Sequence, residues 1–404
     1  MKFLIAVCLL AALLISGSLP TATAGQVALV GNDGNIYQYD IASGTTTPLT
    51  QDAVLGKKGY SWPTWANDGR LAYFGFNRDG DDPYRLGIFV RDTSGNSQRV
   101  YASPDEIFTY AYWSPGDCLA GGCRDLAVLY TMSSGNLGLR RVRVADEISV
   151  DELAEGSPFY WDWSPDGQTM LWARYRTRFE LYDVAAEEVV FTFPEQQGLQ
   201  RSVDWSPVDD RLLAAVTTDR HTSDLVVFDD EARLVLADDI EGIVSFEWSP
   251  DGTLVAYADD DGGTLRIVDA QTGQIAASPS DNSLAFFWSP DGTQVAYISL
   301  TRAIDVPARR DQQGQPKLQW FVYDLATKSA KRLSSFVPTD DMIYYLSFYD
   351  QFARSHRLWS PDSRYLVYGE RVSDGSSVVS LVDATQPGIA PQIIGEGTLG
   401  IFNW

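Results

Sequence analysis

Histidine, cysteine and methionine are scarce in this chain of 404 residues: two, three and four of each. Two histidines, His221 and His356, cannot build a multi-histidine metal cluster, and they leave a serine nucleophile few chances of a nearby base. Of the cysteines, Cys8 lies in the first apolar run, too early to be a lipid-attachment residue at a cleavage point. That leaves Cys118 and Cys123 in CLAGGC. Their spacing fits a local disulfide in an oxidising compartment and makes a poor zinc site. Positive charge is also short, with 31 Lys and Arg against 54 Asp and Glu and a formal net charge of −23. Such a surface disfavours nucleic acid and anionic membrane as partners and favours solubility or a basic partner. No apolar stretch approaches the roughly 20 residues of a membrane span, so no insertion is expected once the leader is removed.

The leader is the first 24 residues: Lys2, an apolar run from Phe3 to Ile15, then small residues ending in Ala22-Thr23-Ala24. This pattern reads as a secretory signal peptide cut after Ala24, which predicts an exported protein, periplasmic or extracellular. Residues 25–404 then form the mature chain.

Tryptophan is plentiful, with twelve residues, and it is periodic. TWANDGRLAYF at Trp65 is followed by YWSPGD at Trp113, DWSPDG at Trp163, DWSPVDD at Trp205, EWSPDG at Trp248, FWSPDG at Trp288 and LWSPDS at Trp359, with IFNW closing on Trp404. A period of about 43 residues is the length of a four-stranded propeller blade. In the Trp248 unit, IVSFEW, TLVAYA, TLRIVD and QIAAS alternate like strands between turn sequences. The N-terminal segment QVALVGNDGNIYQYDIASGTTTPLT supplies second, third and fourth strands but no first. The C-terminal TLGIFNW supplies a first strand and stops. The two ends complete one blade, which predicts a single all-β propeller of eight blades over residues 25–404, closed by the C-terminal strand; seven is the alternative.

The repeated Ser and Asp are explained by turn chemistry. Proline presets φ, aspartate follows comfortably, and glycine takes the left-handed conformation that returns the hairpin. A catalytic group would not recur in seven units. Units of this form resemble the WD40-like β-propeller repeat of the TolB-like proteins and of prolyl-oligopeptidase-type and tricorn propellers. The resemblance covers nearly all of the mature chain and implies recognition of a protein or cell-envelope partner. Two features depart from it: no room for the α/β domain that precedes the TolB propeller, and no Gly-x-Ser-x-Gly hydrolase domain after it.

In such blades the first-to-second and third-to-fourth turns share one face, here called the turn face. The other connections share the opposite, loop-rich face, where most long segments fall and where function concentrates. The longest tryptophan spacing, 71 residues, holds two insertions, 301–319 and 336–354. The first carries Arg302, Arg309 and Arg310; the second crowds Tyr344, Tyr345, Phe348 and Tyr349. Aromatics beside a cationic patch fit ligand or partner binding, and the same aromatics also suit a small lid packed on the disc. The expected function is non-enzymatic recognition by a monomer. The alternative is a hydrolase or lyase acting on a glycan or peptide in the central channel through Asp340, Asp341 or Glu370. No cofactor is expected. Calcium would suit the oxygen donors of NRDGDDPY (77–84) and ADDDGG (258–263), but neither has the spacing of a calcium loop.

Overall fold

The computed structural model describes residues 25–116, 125–144, 147–229, 232–259, 263–300 and 317–403. Eight antiparallel sheets follow one another along the chain as the eight blades of a propeller. Blade 6 shows the plan: Val244–Trp248 innermost, then Leu254–Asp259, Leu265–Asp269 and Ile275–Ser280 outward. In blade 8 the innermost strand shrinks to one bridge between Trp359 and Leu366, inside the three-stranded sheet from Tyr365 to Glu396.

Blade 1 is the composite expected from the chain ends. Leu399–Phe402 pairs antiparallel with Gln26–Val30, with Ile401 opposite Ala28, and becomes its innermost strand. Leu399, Ile401 and Phe402 are all buried there. The Asn403 side chain accepts the backbone N–H of Gln26 at 2.7 Å, fastening one end of the chain to the other.

Each WSPDG residue has a visible structural task. In blade 6 the Ser249 hydroxyl donates to Asp251 Oδ1 at 2.6 Å and accepts the N–H of Leu254 at 2.9 Å. Gly252, at φ +67°, supplies the positive-φ residue that closes the turn. Ser164 with Asp166 and Ser289 with Asp291 repeat this geometry. Blade 8 puts Ser363 in the glycine position at φ 58°, a left-handed backbone that costs an L-residue about 1 kcal/mol.

Some of the repeat tryptophans tie neighbouring blades together through their indoles. The indole N–H of Trp113 donates to the carbonyl of Thr64 at 3.1 Å, that of Trp288 to Glu247 at 3.3 Å, and that of Trp359 to Phe287 at 3.2 Å. Each bond runs from one inner strand to the residue before the tryptophan of the preceding one. That preceding position lines the central channel at Tyr112, Asp162, Asp204, Glu247, Phe287 and Leu358.

Candidate functional site

The channel is filled from the loop-rich side by the second insertion. It forms two helices, α1 (Asp340–Ser347) and α2 (Tyr349–Ser355). Thr339 caps α1 by accepting the N–H of Met342 at 3.2 Å, and Asp340 and Asp341 occupy its first turn, where carboxylates oppose the helix dipole favourably. Met342, Tyr345, Tyr349 and Phe352 are buried. Tyr349 packs edge-on against Phe286 and Phe287, at 5.3 and 5.7 Å between ring centres. Phe352 meets Trp62 at 4.9 Å and Tyr110 at 5.0 Å. The helices are therefore a plug that touches opposite sides of the ring.

Below the plug, α2 delivers Arg354 to the channel carboxylates. Its guanidinium nitrogens lie 3.3 Å from Asp162 Oδ2 and 3.3 Å from Asp204 Oδ1, and one of them also donates to the Val203 carbonyl. The two carboxylates have a further task. Asp162 accepts the backbone N–H of Trp205 at 2.8 Å, and Asp204 accepts that of Trp248 at 2.8 Å. Each acid thus ties its blade to the next while both neutralise the plug. Burial nevertheless raises the carboxyls of both Asp162 and Asp204, with Arg354 acting against the rise. Burial likewise lifts Glu247 to about 7 and Asp350 to about 6, and Asp350 is reached by the Ser245 hydroxyl at 3.2 Å.

His356 follows the plug and is fully buried, with Nδ1 2.6 Å from the Ser355 hydroxyl. Burial pushes its imidazole down to about 3, so it is neutral at physiological pH and faces the aromatic rings of Trp62, Tyr110 and Phe352.

Among the described residues, cavities open on both faces of the plug. On the loop-rich face a groove of about 300 Å³ runs between the helices and blades 3 and 4, lined by Pro158, Phe159, Tyr160, Tyr344, Phe348 and Phe352 among others. On the turn face the remaining channel opens as a cup of about 350 Å³. Arg354, Arg357 and Glu247 form its floor, and Pro165, Pro250 and Pro290 stand with the repeat tryptophans in its wall.

Of the residues expected in a site, Tyr344 is 39% exposed and lines the loop-rich groove together with Phe348. Tyr345 and Tyr349 instead face the channel, and Tyr345 donates its hydroxyl to the His356 carbonyl at 2.9 Å. Arg302, Arg309 and Arg310, Cys118 and Cys123, and residues 1–24, expected from the sequence to be a leader, lie outside the described residues. Asp340 is exposed and pairs with Arg371 at 2.6 Å. Asp341 accepts the Thr398 hydroxyl and Glu370 that of Ser380, so these three carboxylates do not converge on the channel acids. In the 77–84 loop, Asp79 pairs with Lys57 and Asp82 with Arg99. Among the described residues no group of three or more metal-ligating side chains comes together.

Sequence reasoning missed Asp162, Asp204, Glu247 and Arg354. A signal was present: the position before the repeat tryptophan reads Asp, Asp, Glu in three consecutive units and is uncharged in the units on either side.

Comparison with solved structures returns the same architecture at low identity. A structure of a eukaryotic initiation factor aligns over 94% of this chain and 98% of that one, with a TM-score of 0.56 and 10% identity. An oligogalacturonate lyase in complex with manganese aligns over 85% and 86%, with a TM-score of 0.51 and 13% identity. TolB from Acinetobacter baumannii aligns over 84% and 82%, with a TM-score of 0.39 and 13% identity. Likeness at this distance is one of fold alone. No protein-family model matches the chain, and no curated protein matches it in sequence.

Proposed function

We propose that the chain is an exported, non-enzymatic recognition propeller that binds a protein partner of the cell envelope through its loop-rich face. The observation that carries this reading is the groove between the plug and blades 3 and 4, with Tyr344 and Phe348 on its plug side. Of its lining residues Tyr344 is 39% exposed, and Tyr175 at 43% and Ile343 at 41% are chain neighbours of the lining residues Arg176 and Tyr344. An apolar patch of this kind, built on a rigid disc, suits the apolar side chains of a protein partner better than a soluble polar metabolite. Export rests on the leader sequence and is part of the proposal.

The state of the channel acids supports binding over hydrolysis. Asp162 and Asp204 each accept a backbone N–H from the next blade and face Arg354, which leaves little freedom to exchange protons with a substrate. The test is photo-crosslinking of residues 25–404 to a native envelope fraction, comparing the wild type with Tyr344→Asp and Phe348→Asp. The expected result is one or more crosslinked proteins that either variant loses while its circular dichroism is unchanged. An identical crosslinking pattern for all three proteins would refute the loop-rich face as the binding surface.

A further inference from the structure

The cup on the opposite face has the form of a second docking site, and its surroundings say what would fill it. Its wall is apolar, built from the repeat tryptophans and prolines, with Phe287 and Leu358 deeper in and Val208, 56% exposed, in a turn at the mouth. Its floor carries two guanidinium groups, Arg354 and Arg357. Asp162, Asp204 and Glu247 line the same floor, and the first two already face Arg354. These charges are engaged with one another, so it is the apolar walls that an incoming side chain meets, which suits an apolar one.

The repeat sets a ring of acids around this mouth. The inner turns present Asp68, Asp166, Asp209, Asp251, Asp291 and Asp362, one in each of six blades. Further out on the same face, the turns after the third strands begin at Asp40, Asp183, Asp269, Asp324 and Asp383. Arg70, Arg211 and Arg364 pair with Asp68, Asp209 and Asp383. The other eight have no ion-pair partner within 4 Å among the described residues. Turn donors keep several of them ionised: the Thr272 hydroxyl with the Gln271 N–H at Asp269, and Thr327 at Asp324, hold those carboxyls below their ordinary range. At Asp251 and Asp291 partial burial pushes upward, but the donors of the turn outweigh it.

We infer that the turn face docks a basic segment of a partner protein, with one large apolar side chain of that segment seated in the cup and flanking lysines or arginines over the aspartate ring. Charge complementarity around an apolar socket favours this occupant, on a molecule of net charge −23. It does not depend on the loop-rich groove, which lies on the other side of the plug.

The probe is a fluorescent nine-residue peptide with one tryptophan between two runs of four lysines. Two relatives accompany it, one with glutamates for the lysines and one with glycine for the tryptophan. Binding is read by fluorescence anisotropy against residues 25–404. The lysine–tryptophan peptide is expected to bind, the glutamate peptide not to bind, and the glycine peptide to bind about tenfold or more weakly, the scale of one buried apolar side chain. The quadruple variant Asp166→Asn, Asp251→Asn, Asp291→Asn and Asp362→Asn tests the ring. Its turns should survive, because the turn donors contact only Oδ1 in each, an atom asparagine retains. It is expected to weaken the peptide about tenfold at low salt, from four modest surface attractions. Removing four acids from the loop-rich face (Asp79, Asp81, Asp219 and Asp374, each to Asn) controls for overall charge and should leave binding within about twofold. Equal loss in both quadruple variants, or equal binding of the tryptophan and glycine peptides, would overturn the inference. So would sedimentation showing the cup occupied by a second copy of the chain.

Discussion

At the scale of single residues, the decisive position is the one before the repeat tryptophan. It lines the channel in six of the units, and its identity changes from blade to blade while the turn after it varies far less. Glu247 occupies it in blade 6, near Arg354, Arg357, Asp350 and Asp204, and burial lifts its carboxyl to about 7. A carboxyl whose folded pKa lies above its unfolded value of 4.5 stabilises the fold fully below 4.5, and that contribution disappears as pH rises through 7. Glu247→Gln removes this one dependence and keeps the shape. The variant is therefore expected to gain stability relative to the wild type as pH rises from 4.5 to 7.5, by about 3 kcal/mol across the window. Denaturant unfolding of both proteins at pH 4.5, 6 and 7.5 measures it. A constant difference across those three values would show that the acid is not held in a raised state. His356, with a folded pKa of about 3, contributes the opposite slope: its stability is present above 6.5 and is lost as pH falls toward 3. Comparing variant with wild type cancels that background.

At the scale of elements, the insertion from Phe336 onward is two things at once. Its inner side is core: Phe352 is 1% exposed and touches Trp62, Tyr110 and Tyr345. Its outer side includes Ile343 at 41% exposure. Phe352→Ala is accordingly expected to cost about 3 to 5 kcal/mol in denaturant unfolding, and Ile343→Ala less than about 1 kcal/mol. Similar costs for the two would mean that the helices do not fill the channel. The contrast also marks how far the sequence could be read. Strands, turns, blade number and the composite blade follow from local chemistry, because proline, aspartate and glycine dictate a turn wherever they stand and tryptophan marks its start. That the aromatics of the insertion suit a small lid packed on the disc was legible from its composition. Which of its aromatics point inward was not, since Tyr344 and Tyr345 are neighbours in sequence and differ only in which side of α1 they occupy. Arg354 was invisible for the same reason: its partners Asp162 and Asp204 lie 192 and 150 residues earlier and meet it only after the ring closes.

At the scale of the whole molecule, stability depends on that closure. A propeller ring has no hydrophobic core apart from the contacts of each blade with its two neighbours and with the plug, so an open ring exposes two blade faces at once. Here the seal is a short strand, Leu399–Phe402, held between Gln26–Val30 and the channel. Ile401 is fully buried in it, opposite Ala28. Ile401→Asp places a carboxylate in that seam with no counter-charge, and the penalty for an unpaired buried charge is several kcal/mol. Ile393→Asp makes a matched control, because Ile393 lies on the outermost strand of blade 8 and is 56% exposed. The expected outcome is a fall of about 3 to 5 kcal/mol for Ile401→Asp and less than about 0.5 kcal/mol for Ile393→Asp, in denaturant unfolding followed by tryptophan fluorescence. The probe suits the question, since the repeat tryptophans sit at the blade seams and report on the ring rather than on one blade. If the seam is a true closure, the Ile401→Asp protein loses stability in a single transition that spans all the blades. A separate early transition confined to blade 1, with the rest unfolding as in the wild type, would show that the other seven blades hold together without the seal.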